Sequence, residues 1–188
     1  MRLFVAVELD DMVRRAAGET SRRLQQQLRN TLQARWTDVD HMHLTVRFIG
    51  AVGNERVPAI VEALRAPLPI TAFEVALGEC GAFPPHGAPR VLWIGLSAGL
   101  PSLTAMHDEC NRRLHPLGFA PESRPYNAHL TLARVKDAPR GSAALIRDAI
   151  RGEEPSGARC AVSHATVFES RLSPRGSTYT ALMNIPLS

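Results

Sequence analysis

Hydrophobic and polar residues change period several times along the chain, and each change marks an element. Arg2–Val7 is a short apolar run that predicts a first strand. Asp10 or Asp11 can cap a helix reaching about Arg29, in which Val13, Ala17, Leu24 and Leu28 form an apolar stripe. From Met42 to Ile49 the period falls to two. His43, Thr45 and Arg47 share one face and Leu44, Val46 and Phe48 the other, as in a half-buried strand. Asn54 can cap a second helix over Glu55–Arg65. Strands are expected at about Ile70–Cys80 and Val91–Leu96, separated by the turn-rich Phe83-Pro84-Pro85-His86-Gly87-Ala88-Pro89.

The order then recurs. A helix is expected from about Pro101 to Leu117, ended by Gly118. Asn127–Val135 alternates again, with His129 and Thr131 on one face and Leu130 and Leu132 on the other. Ser142 begins a short helix ending near Gly152, and strands at about Arg159–Leu172 and Thr178–Ile185 flank a Pro174-Arg175-Gly176 turn. His43 and His129 lie 86 positions apart (129 minus 43), and the same offset carries Val91–Leu96 into the last strand. Two similar lobes are therefore expected. No linker is long enough to part them, so residues 1–188 are read as one domain of two interleaved lobes.

Composition narrows the setting. No stretch approaches the roughly 20 apolar residues of a membrane-spanning helix, and Glu8 arrives too early for the opening to read as a signal peptide. Cys80, Cys110 and Cys160 are odd in number and have no CxxC spacing, so inert buried thiols in a reducing cytoplasm are expected. The net charge is +4, and of 22 basic residues only Lys136 is lysine. Arginine's planar fork suits phosphate oxygens, although a GC-rich coding bias accounts for most of the arginines.

The two alternating strands carry the candidate chemistry. Seven histidines in 188 residues, at this content of leucine and threonine, predict about 0.04 His-Leu-Thr triplets by chance. Two occur, at His43–Thr45 and His129–Thr131. Residues i and i+2 of a strand point the same way, roughly 6.5–7 Å apart, so one such strand can offer an imidazole and a hydroxyl to one phosphate. Two facing strands supply the base and the acid that hydrolysis of a phosphodiester requires. Imidazole serves both tasks because its ordinary pKa of about 6.5 keeps both forms accessible. Arg47 shares the face of His43 and Thr45 in a regular strand, so it points either to the cleft or to solvent, whereas Arg134 has the wrong parity and needs a bend or the strand's end to reach the same phosphate. His41 and His43 have the spacing of a metal pair, but no third or fourth ligand follows, and no metal or cofactor is expected. His86, His107, His115 and His164 read as surface or packing residues. Trp36, Trp93 and Phe48 read as core, with a rim aromatic or Tyr126 as candidates to stack a nucleobase.

These blocks resemble the two-histidine phosphoesterase superfamily, and more closely its RNA 2′,3′-cyclic phosphodiesterases, also called 2′-5′ RNA ligase-like proteins. The resemblance rests on Arg2-Leu3-Phe4-Val5-Ala6-Val7, Arg35-Trp36, His43-Leu44-Thr45-Val46-Arg47-Phe48-Ile49-Gly50 and Gly81-Ala82-Phe83-Pro84-Pro85. It continues in Arg90-Val91-Leu92-Trp93-Ile94-Gly95, His129-Leu130-Thr131-Leu132-Ala133-Arg134 and Leu172–Tyr179. Ala128 and Asp38 stand where the family often carries proline. The resemblance implies a bilobal α+β fold, with two pseudo-symmetric lobes, antiparallel sheets lining a central cleft and helices outside. It implies metal-independent opening of a 2′,3′-cyclic phosphate to a 2′-phosphate, with His43 as proton donor and His129 as proton acceptor. Thr45, Thr131 and Arg134 would hold the phosphate. The expected partner is an RNA bearing such an end, or a small cyclic nucleotide, met by a monomer and not at a membrane. Reverse 2′-5′ ligation is expected to be minor. A phosphodiesterase acting on a small cyclic phosphate or a 2′-5′ oligonucleotide, and a non-catalytic RNA-end binder, are the rival readings.

Overall fold

In the computed structural model, which describes residues 1–122, 124–173 and 176–188, each expected helix and strand is present with adjusted ends. Strand β1 (Arg2–Glu8) leads into helix α1 (Asp11–Leu28). The helix starts where the Asp10 carboxylate accepts from the Val13 amide at 2.8 Å, satisfying one donor of the first turn. Strands β2 (Gln33–Trp36) and β3 (His43–Ala51), helix α2 (Val57–Leu64) and strands β4 (Phe73–Phe83) and β5 (Val91–Ala98) complete the first half. The second half contains helix α3 (Leu100–Leu114), strand β6 (Leu130–Asp137) and helix α4 (Ala143–Arg151). It ends with β7 (Arg159–Val162), β8 (His164–Ser173) and β9 (Gly176–Pro186). The single strand expected over Arg159–Leu172 is broken at Ser163, and the Pro174-Arg175 part of the expected final turn lies outside the described residues.

The repeat holds for the helices. Helices α1 and α3 end 86 positions apart (114 minus 28), and α2 and α4 begin 86 apart (143 minus 57). The halves exchange partners, however. The β4–β5 hairpin of the first half pairs with β6 of the second, and the β8–β9 hairpin of the second half pairs with β1, which pairs with β3. Two antiparallel strand sets result, β7-β4-β5-β6 and β3-β1-β8-β9. Leu44 opposite Leu130 joins them into one curled sheet, and β2 pairs with β6.

Helices α1 and α4 cover the β4–β7 side, and α2 and α3 cover the β3 side. The core follows from this wrapping. Leu24 and Leu28 of α1, Leu103 and Met106 of α3, and Leu44 and Leu130 of the two motif strands are fully buried in one contiguous cluster. A second, small cluster of Phe4, Ala6 and Phe168 lies apart from it, with Tyr179 packed on it. Gly18 lets α1 approach the turn before β3, since a Cβ there would sit 2.8 Å from a Val39 methyl. No helix among the described residues is long and apolar enough to cross a membrane.

Candidate active site

Both motif strands deviate from regular pairing at the same place in the repeat. On β3, Val5 faces Arg47 and Ala6 faces Thr45, so Val46 is an extra residue. On β6, Leu92 faces Ala133 and Trp93 faces Thr131, so Leu132 is the extra one. Such a bulge reverses the parity of the residues that follow. Val46 and Arg47 are consecutively buried and Phe48 turns outward, 54% exposed. Leu132 and Ala133 are likewise buried, and Arg134 turns out to the cleft. The bend that Arg134 requires is this bulge. The same irregularity removes Arg47 from the cleft face where strict alternation puts it. Its guanidinium is buried instead, donating to the Phe48 carbonyl at 2.8 Å, to Glu122 at 3.0 Å and to the Ala120 carbonyl.

The resulting cleft, of about 540 Å³, brings together all five expected site residues: His43, Thr45, His129, Thr131 and Arg134. A wider depression of about 820 Å³ against α4 contains none of them. The two histidines have the same local geometry. His43 Nδ1 lies 2.8 Å from the His41 carbonyl and His129 Nδ1 lies 2.8 Å from the Asn127 carbonyl. A carbonyl only accepts, so each Nδ1 carries the proton and each Nε2 is left for the cleft. Aromatic rings wall both imidazoles. Phe4 and Tyr179 stand 4.9 and 5.1 Å from His43, and Phe83 and Trp93 stand 5.1 and 6.4 Å from His129, by ring centroids. Gly81 makes room for the Trp93 ring, which a Cβ would approach to 2.2 Å.

This packing sets the acidities. Burial pushes both imidazoles below their ordinary value. For His43, the His41 carbonyl and the Glu8 carboxylate work against that shift, while the His41 and His129 rings add to it. For His129, the Asn127 carbonyl works against it and the Arg134 charge adds to it.

Other expectations resolve differently. Phe48, read as core, stands at the cleft rim beside Phe4, with centroids 6.1 Å apart. Tyr126, a stacking candidate, is turned away: its ring stacks on the buried His107 and its hydroxyl donates to the Thr45 carbonyl. His41 lines the cleft edge-on to Tyr179. Cys110 and Cys160 are buried, Cys80 is half-buried, and burial pushes the Cys80 and Cys110 thiols up to about 12. Asp38 caps the short turn ahead of His43 by accepting from the Asp40 amide at 3.1 Å, and Ala128 is buried.

Fold and cleft together define a two-lobed protein whose cleft is shared between repeated halves. The chain belongs to the LigT-like phosphoesterase family, whose sequence pattern matches twice, over residues 13–93 and 94–179, once on each half. It is 31% identical to the RNA 2′,3′-cyclic phosphodiesterase of Archaeoglobus fulgidus, over 97% of this chain and 98% of that one. It is 34% identical to the protein of the same name from Aeropyrum pernix, over 78% and 82% respectively. Among solved structures it superposes on TT0787 of Thermus thermophilus with a TM-score of 0.81 and 26% identity, covering 100% of this chain and 98% of that one. With Escherichia coli LigT in its apo form the TM-score is 0.73, at 24% identity and with 100% and 97% of the two chains covered.

Proposed function

We propose that the cleft hydrolyses the 2′,3′-cyclic phosphate at an RNA end to a 2′-phosphate. Water attacks phosphorus as His129 Nε2 takes its proton. The bond from phosphorus to the 3′ oxygen breaks as His43 gives that oxygen a proton from Nε2. The observation that carries this reading is the pair of imidazoles, one from each half, both with Nδ1 committed to a backbone carbonyl and Nε2 free for proton transfer. Neighbouring charge supports the assignment of roles. Glu8 favours a proton on His43, whereas Arg134 disfavours one on His129.

Thr45 and Thr131 offer hydroxyls to the phosphate, and Arg134 offers charge. Phe48 presents an aromatic face to the base of the terminal nucleotide. Both half-sites come from one chain, so a monomer holds a complete site. Ligation by the reverse path is minor because water is abundant.

The test is turnover of an oligonucleotide ending in a 2′,3′-cyclic phosphate, in EDTA, with the products separated by chromatography. A 2′-phosphate formed at full rate is expected. A 3′-phosphate product, or activity that EDTA abolishes and a divalent metal restores, would overturn the proposal.

A further inference from the structure

The segment leading into each catalytic motif is bonded to the other motif's strand, and the two are held by different means. The segment before His43 forms β2, which runs along β6 in a backbone ladder from Gln33 opposite Asp137 to Trp36 opposite Ala133. The Thr37 amide then donates to the bulge carbonyl of Leu132 at 2.8 Å. The segment before His129 contains Pro121 and Pro125, which have no amide hydrogen to give a ladder. Side chains do the work there. Arg47 reaches from β3 to the Ala120 carbonyl and Glu122, and Tyr126 reaches back to the Thr45 carbonyl at 3.0 Å.

Tyr126 is itself fixed. Its ring lies on His107 with centroids 4.4 Å apart and planes 13° from parallel. His107 Nδ1 lies 2.8 Å from the carbonyl of Val46, the extra residue of the β3 bulge, and its Nε2 lies 2.9 Å from the Asn111 amide. The residue after Tyr126 is Asn127, whose carbonyl orients the His129 ring.

We infer that Tyr126 is a positioning residue that spaces the two half-sites: its hydroxyl fixes the Thr45–Val46 bulge of the first motif while its backbone leads directly into the carbonyl that aims His129. Neither Tyr126 nor Asn127 lines the cleft, so the role is geometric. An error of an ångström in such a spacing costs on the order of 100-fold in rate. The inference rests on the reaction proposed above.

The experiment uses the full chain with Tyr126→Phe, which removes one oxygen atom and keeps the ring on His107. On a cyclic-phosphate oligonucleotide, kcat is expected to fall about tenfold or more while KM stays within about twofold. Both limbs of the pH profile should keep their positions, because burial of the imidazoles is unchanged. Mere loosening of the packing would instead admit water and move the limbs up towards the ordinary imidazole value. In the same samples the imidazole NMR signals of His43 and His129 should both shift, a readout that needs no turnover. A kcat equal to wild type, limbs moved upward, or unshifted imidazole signals would overturn the inference. Wild type without turnover would overturn the proposed reaction instead and leave the NMR signals to decide the spacing role. His107→Asn keeps a donor at the Nδ1 position for the Val46 carbonyl and removes the stacking ring, and a smaller fall in kcat than that of Tyr126→Phe is expected from it.

Discussion

The two halves of the cleft are most instructive where the repeat would make them alike. His43 and His129, Thr45 and Thr131, and the bulges at Val46 and Leu132 all correspond at an offset of 86 (129 minus 43). Tyr179 in the first half-site likewise answers to Trp93 in the second. The residue each bulge turns into the cleft is the exception: Phe48 in one half, Arg134 in the other. The repeated frame thereby presents an aromatic ring on one side of the cleft and a cation on the other. The same arginine depresses the proton affinity of His129 and not that of His43. In the proposed function, that one difference gives the phosphate its cation and the terminal base its stacking ring.

The largest effects should come from what the halves share. His43→Ala and His129→Ala are each expected to lower kcat by ~10²–10⁴-fold, the usual range for a positioned acid or base. Single-turnover rates on a cyclic-phosphate oligonucleotide measure this, and near-wild-type turnover in either variant would break the equivalence of the two half-sites.

The residues that differ should give smaller and unlike effects. Arg134→Ala removes a charge-assisted contact of roughly 1.5–3 kcal/mol, so kcat/KM should fall about 10–150-fold on any cyclic phosphate. Phe48→Ala removes a stacking face of roughly 1–3 kcal/mol, and its loss should appear mainly as raised KM. That loss should vanish on a ribose 2′,3′-cyclic phosphate that lacks the base. Equal impairment on the baseless substrate would sink the division of labour.

The smallest effect is in pH. Both imidazoles are held below their ordinary value by burial. The optimum of kcat/KM, which reports the free enzyme, should therefore lie on the acid side of about 6.5. The kcat profile should sit higher, because a bound phosphate favours the protonated rings. Stability carries the opposite sense of charge. As pH falls from about 6.5 towards the folded-state values, the unfolded chain takes up protons first, so the stability these rings contribute is full above that window and declines through it. Thermal melts from pH 8 to pH 5 would show the decline, and His43→Gln should flatten part of it.

Much of this was legible in the sequence because it is carried by period. The alternation around His43 and His129 gives two strands, their buried leucines give two inner faces, and the 86-residue offset gives related lobes. What escaped was what breaks period. A bulge adds one residue to a strand without any mark of its own, so strict alternation sends Arg47 to the cleft and Phe48 to the core, and the structure reverses both. Strand β2 escaped because four residues, Gln33-Ala34-Arg35-Trp36, are too few to show a period. The partner exchange between halves was hidden for another reason, since pairing between distant strands leaves no local trace. His107 and Tyr126 lie in no motif, and only their contacts with the Val46 and Thr45 carbonyls reveal what they hold.

The central claim is that the two imidazoles act as one unit, and a double-mutant cycle tests it most directly. Rates of His43→Ala, His129→Ala and the double variant would be compared with wild type on one cyclic-phosphate oligonucleotide. Groups that act together lose most of their effect with the first removal. The double variant should therefore be slower than either single variant by no more than about tenfold. A double loss equal to the product of the two single losses would mean that the histidines contribute independently, contradicting a paired acid and base.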